Sequence, residues 1–440
     1  MAPTSAFLKD DGHQTFDSIA AQFQLDDEAL HTITKQFLED FRLGLSEYNH
    51  PMAMIPTFVT GVPNGSETGT FLALDLGGTN LRVCEVRLLG NHEFTLRQQK
   101  YRVSDALKTG EASVLFAAIV GAIFGTGTNG AYVEKVSNIA KLGDSPARLN
   151  GGEMVINAEW GAFNNTRTTL PTTVFDNKLD RESINPRLQA FEKFISGMYL
   201  GEITRNVLLS LIDAAPHPLL FNGRSSAQLN GHYGLDTAII SEVEQIWESG
   251  RPPIASVKSV EGGTSLDDPS GSSRDTSSLS STQVNGVGNI PHFLDIDAHS
   301  EEDRARLERI RSILIQRLHL DPEHVSLRDA AVVRWAASLV ANRAAKLSSC
   351  SIAAVLVQTG RAELGGGLTP QDEHIIIGVD GRCSPNSLIE HYPNFNANLR
   401  TSLRRLVGEE VESRVDIGMA KDGSGVGAAL CALQAIKQGL

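Results

Sequence analysis

The stretch Asp75-Leu76-Gly77-Gly78-Thr79-Asn80-Leu81-Arg82 sets a carboxylate, two adjacent glycines and a hydroxyl close together between apolar segments. Glycines let a backbone approach an anion closely, and a threonine hydroxyl adds a donor, so such a turn can cradle a phosphate. Asp75, at the end of the first apolar segment, can hold Mg²⁺ through water, because that ion keeps several of its waters. An ordinary hairpin whose glycines only supply positive φ reads the same way. Gly125-Thr126-Gly127-Thr128-Asn129 repeats the donors and can clamp the far side of the same phosphate chain. A third glycine-rich stretch, Asp422-Gly423-Ser424-Gly425-Val426-Gly427, opens an alanine-rich helix, and the N–H groups at a helix start favour an anion or a ribose. Neither a G-x-x-x-x-G-K-[ST] loop nor a protein-kinase signature set occurs, so a nucleotide site here is of another kind. Two carboxylates lie in apolar surroundings, Glu159 in INAEWGAF and Glu202 in GMYLGE. Ionised oxygens accept several O–H donors and suit sugar hydroxyls, although a single glutamate is more often a surface or salt-bridged group.

The elements that would carry these turns follow from periodicity. Leu30, Ile33, Phe37, Phe41 and Leu45 recur at helical spacing behind Asp26-Asp27-Glu28, which predicts an amphipathic helix over 26–45. Residues 70–75 and 81–88 read as two strands of a tight hairpin, and 121–124 and 131–133 as strands flanking the second turn. Further helices are expected at 191–211, 301–318 and 328–347, with strands at 352–357, 375–378 and 415–419. The class is α/β. Residues 251–290 are rich in Ser, Gly, Pro and Asp without periodicity and read as a disordered insertion. The loop 361–373, with three consecutive glycines, is expected to face solvent.

The chain of 440 residues has room for two domains, and its net charge of −13 argues against nucleic acid or an anionic membrane as partner. Four cysteines without C-x-x-C spacing suggest neither a zinc site nor a disulfide framework, and a cytoplasmic setting is expected. No targeting segment is recognised at the N-terminus, and the apolar run 114–124 is too short to span a bilayer.

Taken in order, FLALDLGGTNLRVCEV, GAIFGTGTNGAYVE, MVINAEWGAF, FEKFISGMYLGEI, IIIGVDG and AKDGSGVGAAL resemble the hexokinase family, specifically its fungal glucokinase type, from near the N-terminus to the last helix. The resemblance implies the duplicated ATPase fold of the actin and Hsp70 type, with two lobes closing on sugar and ATP. It implies ATP-dependent phosphorylation of glucose or another hexose at the 6-hydroxyl, with ATP and Mg²⁺ required. It places Asp75 on Mg²⁺ through water. Gly77, Gly78, Thr79, Asn80, Arg82, Gly125, Thr126 and Gly127 fall near the phosphates, and Asn129, Glu159 and Glu202 on the sugar. Gly378, Asp422, Gly423, Ser424 and Gly425 fall on the nucleoside. The implied organisation is an N-terminal helical segment (1–70) packed on the large lobe, a truncated small lobe (71–118) and the large lobe (121–440).

One departure is visible. In the family the helix corresponding to 111–118 is separated from the GTGTN strand by roughly a hundred residues, a small domain's worth. That segment holds a Ser-Phe-Pro strand, a Thr-Lys-Gly-Phe sugar loop and an Asn-Asp-Thr segment whose Asp takes the proton of the 6-hydroxyl. None of the three is found, and no Asn-Asp pair occurs in the chain. The smaller lobe is therefore expected to be incomplete, with no residue assigned as general base. Residues 381–387 look like a short insertion into the family's Gly-Asp-Gly-Ser turn. Three readings stay open: a hexose kinase, a silent glucose or nucleotide sensor, and a truncated product without function.

Overall fold

The computed structural model describes residues 7–59, 66–76, 81–91, 93–101, 120–251, 292–367, 374–380 and 388–419. The expected helix at 111–118, the phosphate-turn residues Gly77, Gly78, Thr79 and Asn80, nearly all of the 251–290 insertion, the 381–387 stretch and the 422–427 turn with its helix lie outside them.

The strands are β1 (Ile55–Pro56), β2 (Thr68–Leu76), β3 (Leu81–Gly90), β4 (Glu93–Tyr101), β5 (Val120–Phe124), β6 (Thr128–Lys135), β7 (Glu153–Asn157), β8 (Ile375–Asp380) and β9 (Val415–Met419). The principal helices are α1 (Phe7–Phe23), α2 (Asp27–Ser46), α3 (Val174–Glu182), α4 (Ala190–Ile195), α5 (Leu200–Ile212), α6 (Thr237–Glu248), α7 (Glu301–Leu318), α8 (Leu327–Gln358) and α9 (Phe395–Val407).

A six-stranded mixed sheet runs in the order β1-β7-β6-β5-β8-β9. The β5–β6 hairpin and the β6–β7 pair are antiparallel, whereas β5, β8 and β9 are parallel. Its register lines up Asn157, Ala131, Gly121, Gly378 and Gly418 across the strands, which seats Gly378 one strand in from the β9 edge. β2, β3 and β4 form a separate antiparallel sheet.

The expected helix at the N-terminal end forms as α2. The Asp26 side chain accepts from Ala29 N at 2.8 Å, and Leu30, Ile33, Phe37, Phe41 and Leu45 are buried as their spacing demands. Phe37 stacks on Phe163 with ring centroids 3.6 Å apart, and Phe41 stacks on Tyr132. The helix thus braces β6 and the segment after β7, which carry two of the three candidate sugar ligands, Asn129 and Glu159. The expected helix at 301–318 forms as α7, capped by Ser300, which accepts from Asp303 N.

Two expectations are corrected. The strand expected at 352–357 is the C-terminal part of α8, which continues unbroken to Gln358. No Gly or Pro interrupts it, and packing against α2, α5, α7 and α9 buries it on nearly every side, so neither a breaker nor a periodicity marks it. Its length and apolar content would suit a membrane span, yet 83% of the stretch that passes that test is buried inside the protein. The single helix expected over 191–211 is two. The chain turns outward after Ile195, because Gly197 N donates to Gly125 O at 2.7 Å instead of extending the helix.

Candidate active site

The second glycine-threonine turn connects β5 to β6 and is closed by Gly125 N donating to Gly127 O at 3.1 Å. Its outer atoms are tied to one neighbouring segment, the stretch from α4 to the start of α5. Gly197 N donates to Gly125 O at 2.7 Å, Met198 N donates to Thr126 O at 3.3 Å, and the Glu192 carboxylate accepts from Thr128 N at 3.0 Å. A Cβ at Gly127 would lie 2.8 Å from Glu192 Oε2, so a larger residue there would push that carboxylate from its place on the Thr128 amide. Thr126 is exposed at the tip. Thr128 is buried, donates its hydroxyl proton to Ile123 O and accepts from Trp160 Nε1, both at 2.9 Å.

Directly after the turn, Asn129 meets Asn157 and Glu159. Glu159 Oε1 accepts from Asn157 Nδ2 at 2.8 Å and from Asn129 Nδ2 at 3.3 Å, while Asn129 Nδ2 also reaches Asn157 Oδ1 at 2.8 Å. Asn129 Oδ1 accepts from Gly130 N at 2.7 Å, fixing the amide. Two amides therefore hold one oxygen of Glu159, and among the described residues its Oε2 has no partner, leaving it as an acceptor for hydroxyl groups. Glu159 sits at φ 55°, ψ 40°, the left-handed region that side-chain-bearing residues rarely adopt. Trp160, fully buried, follows it and packs against Gly130, where an added Cβ would lie 2.2 Å from the ring.

Charge concentrates here. Glu192 is half-buried, and burial, joined by the charge of Glu159, raises its carboxyl above the usual range against the lowering effect of the Thr128 N–H. Burial and the Glu192 charge push the Tyr199 hydroxyl up to about 12.

Glu202 is drawn elsewhere. It is 2% exposed and paired with Arg205, whose Nε and Nη2 donate to its two oxygens at 2.7 and 2.6 Å, and Tyr233 N donates to Oε2 at 2.8 Å. Arg205 Nη1 in turn donates to Leu229 O at 3.0 Å. No described hydrogen bond joins Glu202 to Asn129 or Glu159. The structure thus assembles two of the three expected sugar residues directly and leaves the third in a saturated ion pair. On the first phosphate hairpin, Asp75 and Arg82 pair in register, one pair from the turn end. Residues 77–80, like Asp422, Gly423, Ser424 and Gly425, lie outside the described residues.

Asn157, Thr128, Trp160 and Glu192 complete the site without having been singled out. Asn157 stands two positions before Glu159, where an amide beside a candidate carboxylate was a usable signal. Glu192 is 64 positions from Thr128, and nothing local announces the contact.

Two family models, both described as hexokinase, match the chain, one over residues 119–265 and 290–434 and the other over 15–128. They meet on β5, at the entry to the GTGTN turn. A glucokinase of Aspergillus niger is 31% identical, covering 96% of this chain and 96% of that protein. Their alignment extends over 547 positions, so more than a hundred of them have no residue in this chain of 440. Glucokinase-1 of Kluyveromyces lactis is 30% identical over 95% of this chain and 98% of its own length. Among solved structures, a Schistosoma mansoni hexokinase complexed with glucose superposes with a TM-score of 0.69 at 25% identity, covering 96% of this chain and 99% of that one. A mixed sheet carrying a glycine-threonine turn beside an Asn-Asn-Glu cluster, matched by both models along nearly the whole chain, shows that the protein belongs to the hexokinase family.

Proposed function

We propose that the chain transfers the γ-phosphoryl group of ATP to the 6-hydroxyl of a hexose, glucose being the first candidate. The observation that carries this is the Asn129-Asn157-Glu159 cluster, with an open carboxylate oxygen, adjoining the Gly125–Thr128 turn. Sugar hydroxyls donate to Glu159 Oε2, and the Asn129 amide orients that carboxylate. Thr126 at the tip of the turn reaches a phosphate oxygen. Asp75, at the turn end of β2, is assigned to hold Mg²⁺ through water, with Arg82 opposite it. The ion, when bound, neutralises charge on the β- and γ-phosphates. Gly378 and the 422–425 turn are assigned to the nucleoside. Glu202, held by Arg205, binds a hydroxyl only if that ion pair opens.

Among the described residues we assign no carboxylate as acceptor for the proton of the attacking hydroxyl. The chain holds no Asn-Asp pair, and we place the positions unmatched by the Aspergillus relative at the junction ahead of β5, where the family's base segment belongs. A positioned base contributes about 10²–10⁴-fold and substrate positioning about 10²-fold, so turnover is slower than in a complete hexokinase by at least the first factor. The same absence favours a second reading, a sensor that binds glucose without turnover. A buried free thiol at Cys350 fits a reducing, cytosolic setting.

The test is a coupled assay of glucose phosphorylation with MgATP alongside glucose-dependent thermal stabilisation. Slow turnover with stabilisation is expected. Stabilisation alone would favour the sensor, and absence of both would refute either reading.

A further inference from the structure

α3 carries two buried acids one turn apart, and they face different parts of the protein. Asp176 turns to the core and pairs with Arg343 of α8. Asp180 turns to the loops around the candidate sugar site, where three separate stretches of chain end on its carboxylate. Arg187 N donates to both of its oxygens at 3.1 Å, Lys193 Nζ donates to Oδ1 at 2.7 Å, and Arg167 Nη2 lies 2.7 Å from the same oxygen. Lys193, its side chain 4% exposed, also donates to Asn185 O at 2.7 Å. The backbones of Arg167 and Arg187 stand at φ 61° and 66°, left-handed conformations that an arginine keeps only where its surroundings impose them.

These stretches meet at one seam. Arg167 stands downstream of the turn at Glu159, and Lys193 follows Glu192 in the first turn of α4. Ala190 N donates to Asn165 Oδ1 at 3.0 Å across the same seam. Packing there is close, with Gln189 Oε1 3.0 Å and Glu192 Cβ 3.4 Å from where a Cβ on Gly161 would be. The seam also brings Glu159 near enough to Glu192 for its charge to raise the Glu192 carboxyl. Like charges so placed push the Glu159 turn and α4 apart. Asp180 opposes this by holding one cation from each side, Arg167 from the Glu159 side and Lys193 from the Glu192 side.

We propose that Asp180 is a positioning residue for the sugar site, clamping the segment after Glu159 to α4 so that an arriving sugar meets a carboxylate already in place. It touches no ligand itself. Its contribution is preorganisation, because loops ordered before binding do not have to be ordered by it. The proposal rests on the reading of Glu159 as a sugar ligand.

Calorimetric titration of the full chain with glucose, and separately with a non-hydrolysable ATP analogue plus Mg²⁺, tests it without requiring turnover. Asp180→Asn keeps the shape and an acceptor for Arg187 N but removes the charge that holds both cations. Glucose affinity should fall about tenfold or more, as the cost of ordering the loops passes to binding. The analogue should bind within about twofold of the parent. Asp176→Asn, on the same helix but facing the core, also removes a buried ionic partner and should leave glucose affinity of the folded protein within about twofold. The deciding quantity is the ratio of the two affinities, which an acid that only stabilised the fold would not move. Lys193→Met removes one of the two cations and should weaken glucose about threefold or more at unchanged analogue affinity, which decides the matter if Asp180→Asn does not fold. An Asp180→Asn protein that is folded by its melting curve and binds glucose as well as the parent would overturn the proposal while leaving the hexokinase reading intact. So would an equal loss for both ligands, or an Asp176→Asn protein as impaired toward glucose as the Asp180→Asn protein. A parent chain that binds the analogue but not glucose would overturn the reading of Glu159 and the proposal with it.

Discussion

Replacing Gly130 by alanine would test how tightly the sugar site is built. A Cβ there would lie 2.2, 2.4 and 2.5 Å from three ring carbons of Trp160, against an ordinary carbon–carbon contact of about 3.5–4.0 Å. The indole must therefore move by more than about 1 Å. It cannot swing into solvent, because it is fully buried, stacked near Phe124 and tethered through Nε1 to the Thr128 hydroxyl. Overpacking of this kind costs about 1–3 kcal/mol, and the strained indole hydrogen bond adds about 0.5–1.5 kcal/mol. The combined loss is about 1.5–4.5 kcal/mol. Trp160 directly follows Glu159, so displacement of the ring carries the carboxylate proposed to bind sugar with it. A misplacement of that size lowers turnover by about 10²-fold. Urea unfolding followed by tryptophan fluorescence, with calorimetric glucose titration, reads both effects. Gly121→Ala in the same hairpin is the control, since its Cβ would meet only Ala131 O, at 3.9 Å. If Gly130→Ala unfolded at the same urea concentration as that control and bound glucose equally well, the packing argument would be wrong.

Other outcomes follow from the same structure. Glu159→Gln keeps the shape but replaces a charged acceptor by an amide, and glucose affinity should fall about tenfold or more, measured by titration, because hydrogen bonds to a charged group are the stronger kind. Arg343 forms a bidentate pair with Asp176 at 2.7 Å, 1% and 4% exposed, with its guanidinium over the rings of Phe23 and Phe194. Arg343→Met should cost about 3–5 kcal/mol in urea unfolding, since it strands a buried carboxylate. Burial alone would raise the Asp180 carboxyl, but hydrogen bonds from Lys193, Arg167 and Arg187 N outweigh it and hold it below the usual value. The folded state then binds fewer protons than the unfolded one. The stabilisation is complete above about pH 4 and declines as pH falls through the depressed value. Asp180→Asn should flatten that limb of an acid-unfolding curve.

What the sequence disclosed depended on whether the signal was local. α2 was legible because Asp26 caps it and its apolar residues keep one stripe, and α7 because Ser300 and a run of acids mark its start. The turns and Glu159 were legible from residue types at fixed spacing. The C-terminal half of α8 was not, because a helix buried all round shows neither alternation nor a stripe. The break between α4 and α5 was hidden because a distant carbonyl, Gly125 O, causes it. Glu202 was legible as a carboxylate in an apolar setting, but its partner Arg205, one helical turn along, decides what it does in the absence of sugar.

The left-handed backbone at Glu159 has a consequence for evolution in the test tube. Glycine or asparagine would occupy φ 55°, ψ 40° with less strain than glutamate does. A library screened only for heat resistance should therefore drift away from glutamate at this position, whereas one screened on growth that requires sugar uptake into metabolism should keep it. On the proposed function, a residue that the backbone tolerates poorly is kept for the hydroxyl groups it binds.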